Sequence, residues 1–157
     1  MSEIFRRLLL PSALTCAAFA APLSAQTEDA RAAVVVVERM FDALARGDTA
    51  GMRATFVPEG RVVQTGTREG QPFYRVNSID DFLRSIGSAA GRKLEEKIFE
   101  VESRVEDNLA VVWSRYDFFV NGAKSHCGVD SYQLVRVGAE WKLLHIVDTQ
   151  QRPCPTP

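Results

Sequence analysis

Asp130, Tyr132 and His145 are the residues of this chain whose types and spacing best suit chemistry, and that chemistry is proton transfer. An aspartate set beside an indole loses solvation, which disfavours its charged form and raises its pKa toward neutrality. A tyrosine hydroxyl and a histidine N–H facing each other across two strands can donate hydrogen bonds to an oxyanion developing on a substrate. His126 with Asp117 offers a second device, an imidazole oriented by a carboxylate to act as general base. Phe99 and Trp113 would give such a site an aromatic wall, and Arg115 would either clamp a negative group or cover apolar surface with its stem. Each residue also has a plainer use. A histidine and an aspartate facing each other at a sheet end form structural pairs, Asp130 can accept backbone N–H bonds, and Tyr132 and the tryptophans can be core.

His126, Asp130 and His145 are also metal-ligand types, but no His-x-His or His-x-x-x-His spacing joins them, so no metal is expected. No glycine-rich phosphate loop or Cys-x-x-Cys motif asks for a cofactor, and none is expected. Covalent catalysis by Cys127 lacks a thiolate-stabilising partner, because the adjacent His126 points to the opposite face of a strand.

Most of these side chains lie within residues 109–152, which read as three long strands joined by two hairpin turns. Asn121-Gly122 is the stronger turn signal, since both residues tolerate positive φ. Pairing Val120 with Ala123 sets Asp117 opposite His126, Trp113 opposite Asp130 and Val111 opposite Tyr132. A second turn at Gly138-Ala139 sets Tyr132 opposite His145, Asp130 opposite Val147 and Leu134 opposite Leu143. A three-residue turn at 106–108 brings Phe99 beside Arg115 and Val101 beside Trp113. Chained together, these registers put every candidate site residue on one apolar face, the usual setting of a small-molecule site. A single bulge would turn all side chains beyond it to the other face, and Gly128 is a natural place for one.

Upstream, Thr27 is expected to cap a helix whose apolar face is Val34, Val37, Met40, Phe41 and Leu44. Gly47 ends it, and Asp48 caps a short helix holding Met52 and Phe56, stopped by Pro58. Strands are expected at 61–65 and 73–76. Ser78 with Asp81 forms a capping-box pattern opening a third helix, and strand alternation resumes at 97–105. The order, N-terminal helices first and then a long antiparallel sheet, gives an α+β fold class, the three helices packed on one face of a strongly bent antiparallel sheet.

Residues 1–25 read as a secretory leader: Arg6 and Arg7, an apolar run, then Pro22-Leu23-Ser24-Ala25 as the cleavage site. Residues 26–157 form one domain of ordinary size. They carry 17 basic against 19 acidic residues, with no basic stripe, which makes nucleic acid and anionic membrane surfaces poor partners. The expected location is periplasmic or secreted, with no membrane association after cleavage. An oxidising compartment allows a disulfide between Cys127 and Cys154. The expected register, however, sets Cys127 opposite Gln150, so the tail would have to fold back through Pro153 and Pro155. The alternative is one buried thiol and one free tail.

The run Ala43-Leu44-Ala45-Arg46-Gly47-Asp48, with Met52, Phe56 and Pro58 after it, resembles the first helices of the nuclear-transport-factor-2-like superfamily, which takes in SnoaL-like and ketosteroid-isomerase-like proteins. The ending Gly138-Ala139-Glu140-Trp141-Lys142-Leu143 is similar too. More narrowly, Val112-Trp113, the run His126-Cys127-Gly128-Val129-Asp130 and Asp148-Thr149 resemble its lumazine-binding branch. The resemblance implies a cone of three helices on a strongly bent sheet, dimerisation and a cavity at the open end. It leaves function wide, since the superfamily holds isomerases, dehydratases, cyclases and transport adaptors. The expected function is binding of a small, partly aromatic molecule in that cavity. The alternatives are a cofactor-independent isomerase or lyase acting next to a carbonyl, and a dimeric interaction module. Against the enzyme, steroid-isomerase relatives carry a general-base carboxylate on the early strands, and Arg61-Val62-Val63-Gln64-Thr65 has none.

Overall fold

The computed structural model describes residues 23–89 and 91–155. All but the last three residues of the expected leader lie outside the described residues. Among these, three helices and six strands follow the order α1 (Leu23–Ala45), α2 (Thr49–Ala54), β1 (Phe56–Arg68), β2 (Gln71–Ser78), α3 (Ile79–Ser88), β3 (Leu94–Glu106), β4 (Leu109–Val120), β5 (Ala123–Val137) and β6 (Glu140–Gln150). None of these helices is long and apolar enough to cross a membrane.

The helix signals act at short range. Asp48 accepts a hydrogen bond from the Gly51 N–H at 2.8 Å and opens α2. Ser78 accepts from the Asp81 N–H at 3.1 Å and opens α3. Helix α1 begins before Thr27, so that residue is not its cap. Phe56 belongs to β1 rather than to α2, and α3 falls between strands, so the helices do not all precede the sheet.

The strands form one sheet in the order β2-β1-β6-β5-β4-β3. The sheet is mixed, not wholly antiparallel, because β1 runs parallel to β6. Four two-residue turns join neighbours: Glu69-Gly70, Asp107-Asn108, Asn121-Gly122 and Gly138-Ala139. Positive φ at Glu69, Gly70, Asp107, Asn121, Gly122 and Gly138 gives these turns the twist that antiparallel strands need. The turn at 107–108 is one residue shorter than expected.

Three bulges between antiparallel strands reset the side-chain alternation. Ser125 is the extra residue between the pairs Phe119–Lys124 and Phe118–His126. Leu144 is extra between Leu134–Leu143 and Gln133–His145. The third lies between Phe99 and Glu102, where Glu100 takes φ 51°. Each bends its strand, and together they curve the sheet around α1. Val37, Met40 and Leu44 of α1 bury against Val112, Tyr132, Leu134 and Leu143, the centre of one continuous core. Ser103 ties β3 to the start of α1 through the Ala30 carbonyl at 3.1 Å, and Arg136 ties β5 there through Asp29 at 2.7 Å.

Candidate functional site

Where α1 and α3 lift from the concave face, a cavity of about 370 Å³ opens between them and strands β1, β3, β4, β5 and β6. Its middle is apolar, formed by Phe41, Leu44, Phe82, Ile86 and Phe118. Its floor is acidic: Glu96 from β3, Asp130 from β5 and Asp148 from β6 all line it. A larger depression of about 780 Å³ runs along α1, but no buried titratable side chain lines it. The cavity between helices and sheet is therefore the candidate site.

Pairing across the sheet brings the acids together. Asp130 faces Asp148 directly, Asp148 faces Gln64 on β1, and Asp130 faces Ser114 on β4. Like charges placed opposite each other repel, so this ladder disfavours full ionisation. Asp130 is 3% exposed. Burial raises its pKa to about 6, although hydrogen bonds from Glu96 and Tyr132 hold it back. The Tyr132 hydroxyl donates to Asp130 Oδ2 at 2.7 Å and lies 3.4 Å from the Ser114 hydroxyl. Burial, with the negative charge of Asp130, pushes Asp148 up to about 7. Glu96 is raised well above the carboxylate range by burial, then by Asp130, with which it shares a carboxyl–carboxyl hydrogen bond, and by Asp148. Beyond that contact, Glu96 Oε1 and Asp148 Oδ1 are buried with no donor among the described residues. Buried acceptors left open in this way are rare, and here they line a cavity that a ligand can enter.

His126 stands on the wall of the same cavity. Its ring stacks on Phe118 at 4.8 Å and meets Tyr116 edge-on at 5.8 Å. Burial, and secondarily the Arg152 charge, lower its pKa to about 4. Arg152 Nη2 lies 3.3 Å from Nδ1. A guanidinium only donates, so Nδ1 is the acceptor and the proton of the neutral ring sits on Nε2. Tyr116 donates to the Thr149 carbonyl at 2.9 Å and is also held neutral, its pKa raised by burial and then by Asp148. The cavity thus offers neutral donors beside carboxyls that ionise near neutral pH, the combination general acid–base chemistry uses. Among the described residues no three histidine, cysteine, aspartate or glutamate side chains are arranged to hold a metal ion.

These displaced pKa values set how stability changes with pH. Folded-state values raised from 3.8 to about 6 and about 7 mean that folding takes up protons between about pH 4 and 7. The stability that Asp130 and Asp148 contribute is full below pH 4 and is lost as pH rises through those values. His126, lowered from 6.5 to about 4, works the other way between pH 6.5 and 4, and offsets one carboxyl there. Thermal stability is therefore expected to fall from pH 5 to pH 8. Asp148→Asn should flatten that fall and raise the melting temperature at pH 8. The gain is a few kcal/mol, because each tenfold change in proton affinity between the folded and unfolded chain is worth about 1.4 kcal/mol. A thermal melt series across pH checks this, and an unchanged slope in the variant would remove Asp148 as its cause.

The bulges decide which expected residues meet. On β5 the expected face is the observed one, and Asp130, Tyr132 and His126 lie on the inner side. On β4 the Ser125 bulge inverts the pairing, so Val112, Ser114, Tyr116 and Phe118 face inward instead of Trp113, Arg115 and Asp117. Asp117 faces Cys127 rather than His126 and is bound by Lys124 at 2.6 Å. Arg115 pairs with Glu100 at 2.9 Å, and Trp113 faces Ser131 rather than Asp130. On β6 the Leu144 bulge turns His145 outward, where Nδ1 meets Gln133 Oε1 at 3.2 Å and not Tyr132. Phe99 does pair with Arg115, because the shorter turn and the β3 bulge cancel, but on the outer face, where it is 42% exposed.

Glu96, Asp148, Gln64 and Tyr116 are not among the expected site residues. Leu94, Glu96 and Ile98 alternate in sequence, and a strand starting at Leu94 instead of 97 marks Glu96 as an acid on an apolar face. No short-range signal marks Asp148 as inward. The tail also closes differently: Cys127 bridges Gln151 through the backbone, and the Cys127 and Cys154 sulfurs are joined as a disulfide across a Cα–Cα distance of 5.8 Å.

The SnoaL-like domain family matches residues 34–148, from the middle of α1 to Asp148 on β6. The chain belongs to that family. Among curated proteins, no sequence matches it. Solved structures similar to this SnoaL-like chain include a protein of unknown function from Mycobacterium tuberculosis, 12% identical, covering 84% of this chain and 77% of that one, with a TM-score of 0.68. A provisionally named dehydratase of the NTF2-like family from Streptomyces avermitilis is 18% identical, covering 80% and 97%, with a TM-score of 0.61. A provisionally named scytalone dehydratase from Novosphingobium aromaticivorans is 13% identical, covering 80% and 85%, with a TM-score of 0.63. At these identities the likeness is one of fold, an α+β architecture with a curved six-stranded sheet.

Proposed function

We propose that this SnoaL-like protein binds a small, partly aromatic molecule in the cavity between helices and sheet and moves a proton on it next to a carbonyl or hydroxyl, as a cofactor-independent lyase or isomerase. The observation that carries the reading is the inward-facing trio of buried Asp130 and half-buried Glu96 and Asp148, whose environments separate one persistently protonated acid from two that ionise near neutrality. Asp148, with an open oxygen and a pKa of about 7, is the base, and neutral Glu96 is the acid that serves the leaving or carbonyl oxygen. Asp130 links them, held by Tyr132. The base that is missing at Gln64 on β1 is supplied by the directly paired Asp148. The dehydratase names of two structural neighbours agree with a lyase.

The test uses a panel of β-hydroxy ketones and conjugated enones, followed by absorbance as the enone forms or disappears. Asp148→Asn is expected to cut turnover on the order of a hundredfold while leaving binding intact. Equal turnover in the variant would refute the assignment. Binding with no turnover anywhere in the panel would favour a carrier or sensor, a reading that the mutual hydrogen bond of Glu96 and Asp130 also suits. The likeness to the lumazine-binding branch adds lumazine to the binding panel. The proposal includes export to the periplasm or beyond, and dimerisation. N-terminal sequencing of the protein recovered from its host should begin at Gln26, and its mass in solution should be that of two chains.

A further inference from the structure

We infer that the ligand is an anion of the carboxylate class, its negative group held at the cavity mouth by Arg92 and Arg152 and its neutral polar head turned to the carboxyls at the floor. This rests on the cavity being a small-molecule site and says what enters it. Both arginines are exposed, and both line the cavity whose floor holds the acids. They reach it from separate segments. Arg92 follows α3 just after Gly91, whose φ of 87° turns the chain, and Arg152 sits on the tail beyond β6. That tail is fastened by the Cys127–Gln151 backbone bridge and by the Cys127–Cys154 disulfide. Arg152 is further oriented by the Ser125 hydroxyl at 2.8 Å and by His126 Nδ1.

Neither guanidinium has a carboxylate within ion-pair distance among the described residues, although nine other pairs occur there. Nor do the acids of the cavity draw on them. Asp130 and Asp148 are raised rather than lowered, so no nearby cation neutralises them. The cavity is therefore polarised, with two unpaired positive charges at the opening, an aromatic middle of Phe41, Phe82 and Phe118, and an acidic floor. A ligand with a single negative charge at one end meets opposite charge at the mouth and avoids the carboxyls below. A neutral ligand would leave both guanidinia unused, and a ligand negative at both ends would meet repulsion at the floor.

Calorimetric titration of the whole protein with 4-hydroxyphenylacetate and 3-(4-hydroxyphenyl)propanoate, each against its primary amide, tests this. The amide keeps shape and ring and removes only the charge. The carboxylate is expected to bind about tenfold more tightly than the amide at low salt, with the gap narrowing as salt rises. The double variant R92Q/R152Q should erase the difference by weakening the acid alone, with its melting temperature compared to show that the fold is kept. Acid and amide binding equally to the unaltered protein would overturn the anion seat while leaving the small-molecule site standing. Binding of none of the four compounds would overturn both. A preference for the acid that survives R92Q/R152Q would overturn the assignment to these two arginines.

Discussion

Gly128→Ala is expected to abolish folding, at a cost of about 5 kcal/mol or more, which is comparable to the whole stability of an ordinary domain. Gly128 lies in the middle of β5 and pairs with Tyr116 on β4. The Thr149 backbone presses into the space above it. A methyl group there would overlap the Thr149 carbonyl oxygen, with the Thr149 carbonyl carbon at 2.8 Å and its Oγ1 at 2.9 Å. These are mostly backbone atoms of a paired strand, which cannot rotate away as a side-chain tip can. The same carbonyl accepts the Tyr116 hydroxyl, so displacing it also leaves a buried phenol without its partner. Gly87→Ala is the control. It lies in α3, its nearest neighbour would be Thr49 Cγ2 at 4.0 Å, and there alanine should be neutral or stabilise by up to about 1 kcal/mol. Soluble yield and thermal melts compare the two. A Gly128→Ala protein melting like the parent would mean that β6 does not run so close to β5.

Cys154→Ser is expected to cost about 3.5 kcal/mol, the chain entropy regained when a bridge closing a loop of this length is opened. The bridged residues are 27 apart in sequence. Cys154 is the better target because Cys127 is 7% exposed and a serine there would add the cost of burying a hydroxyl. For a domain of this size the melting temperature should fall by roughly 10 °C, and reductant should lower the parent protein to the same value. A second signal separates loss of the strap from general loosening. Freed from its bridge, the tail no longer holds Arg152 against the imidazole, so the His126 pKa should move up from about 4, as followed by its ring resonances. A variant that melts like the parent, with or without reductant, would show that the bridge contributes nothing to the native state.

The elements of the fold are legible in the sequence because their signals are local. Asp48 and Ser78 act within one turn of their helices, and Asn121-Gly122 and Gly138-Ala139 define their hairpins whatever the rest of the chain does. The short Asp107-Asn108 turn is harder to read, since an acidic residue takes positive φ there without glycine's clear mark, and in Glu69-Gly70 the glutamate rather than an asparagine or aspartate precedes the glycine. The site is half legible for one reason. Alternation predicts faces only while the register is unbroken, and Ser125, Leu144 and the Phe99–Glu102 step each break it. The inner side of β5 survives because the turn and the alternation of Tyr132 and Leu134 with Gln133 agree on it. Trp113, Arg115, Asp117 and His145 each lie beyond a bulge from the turn that orients their strand. Gly128 suits a bulge by its type, but it holds regular pairing and makes room for a neighbouring strand instead.

The parallel pairing of β1 with β6 also governs the order in which the molecule can be completed. Strands β3 to β6 are a chain of hairpins, each able to form from its own neighbours. The β1–β6 seam, by contrast, joins residues such as Thr65 and Asp148, whose 2.7 Å hydrogen bond spans 83 positions. Closing so long a loop is slow compared with zipping a hairpin. Asp148, Gln150 and Arg152 all come after the last turn, so one of the three carboxyls of the floor and half of the basic mouth are among the final parts to fall into place. During synthesis the helices and the first hairpin emerge well before the strand that finishes the cavity. A chain threaded N-terminus first through a narrow channel would therefore carry no working site until its last residues had cleared it.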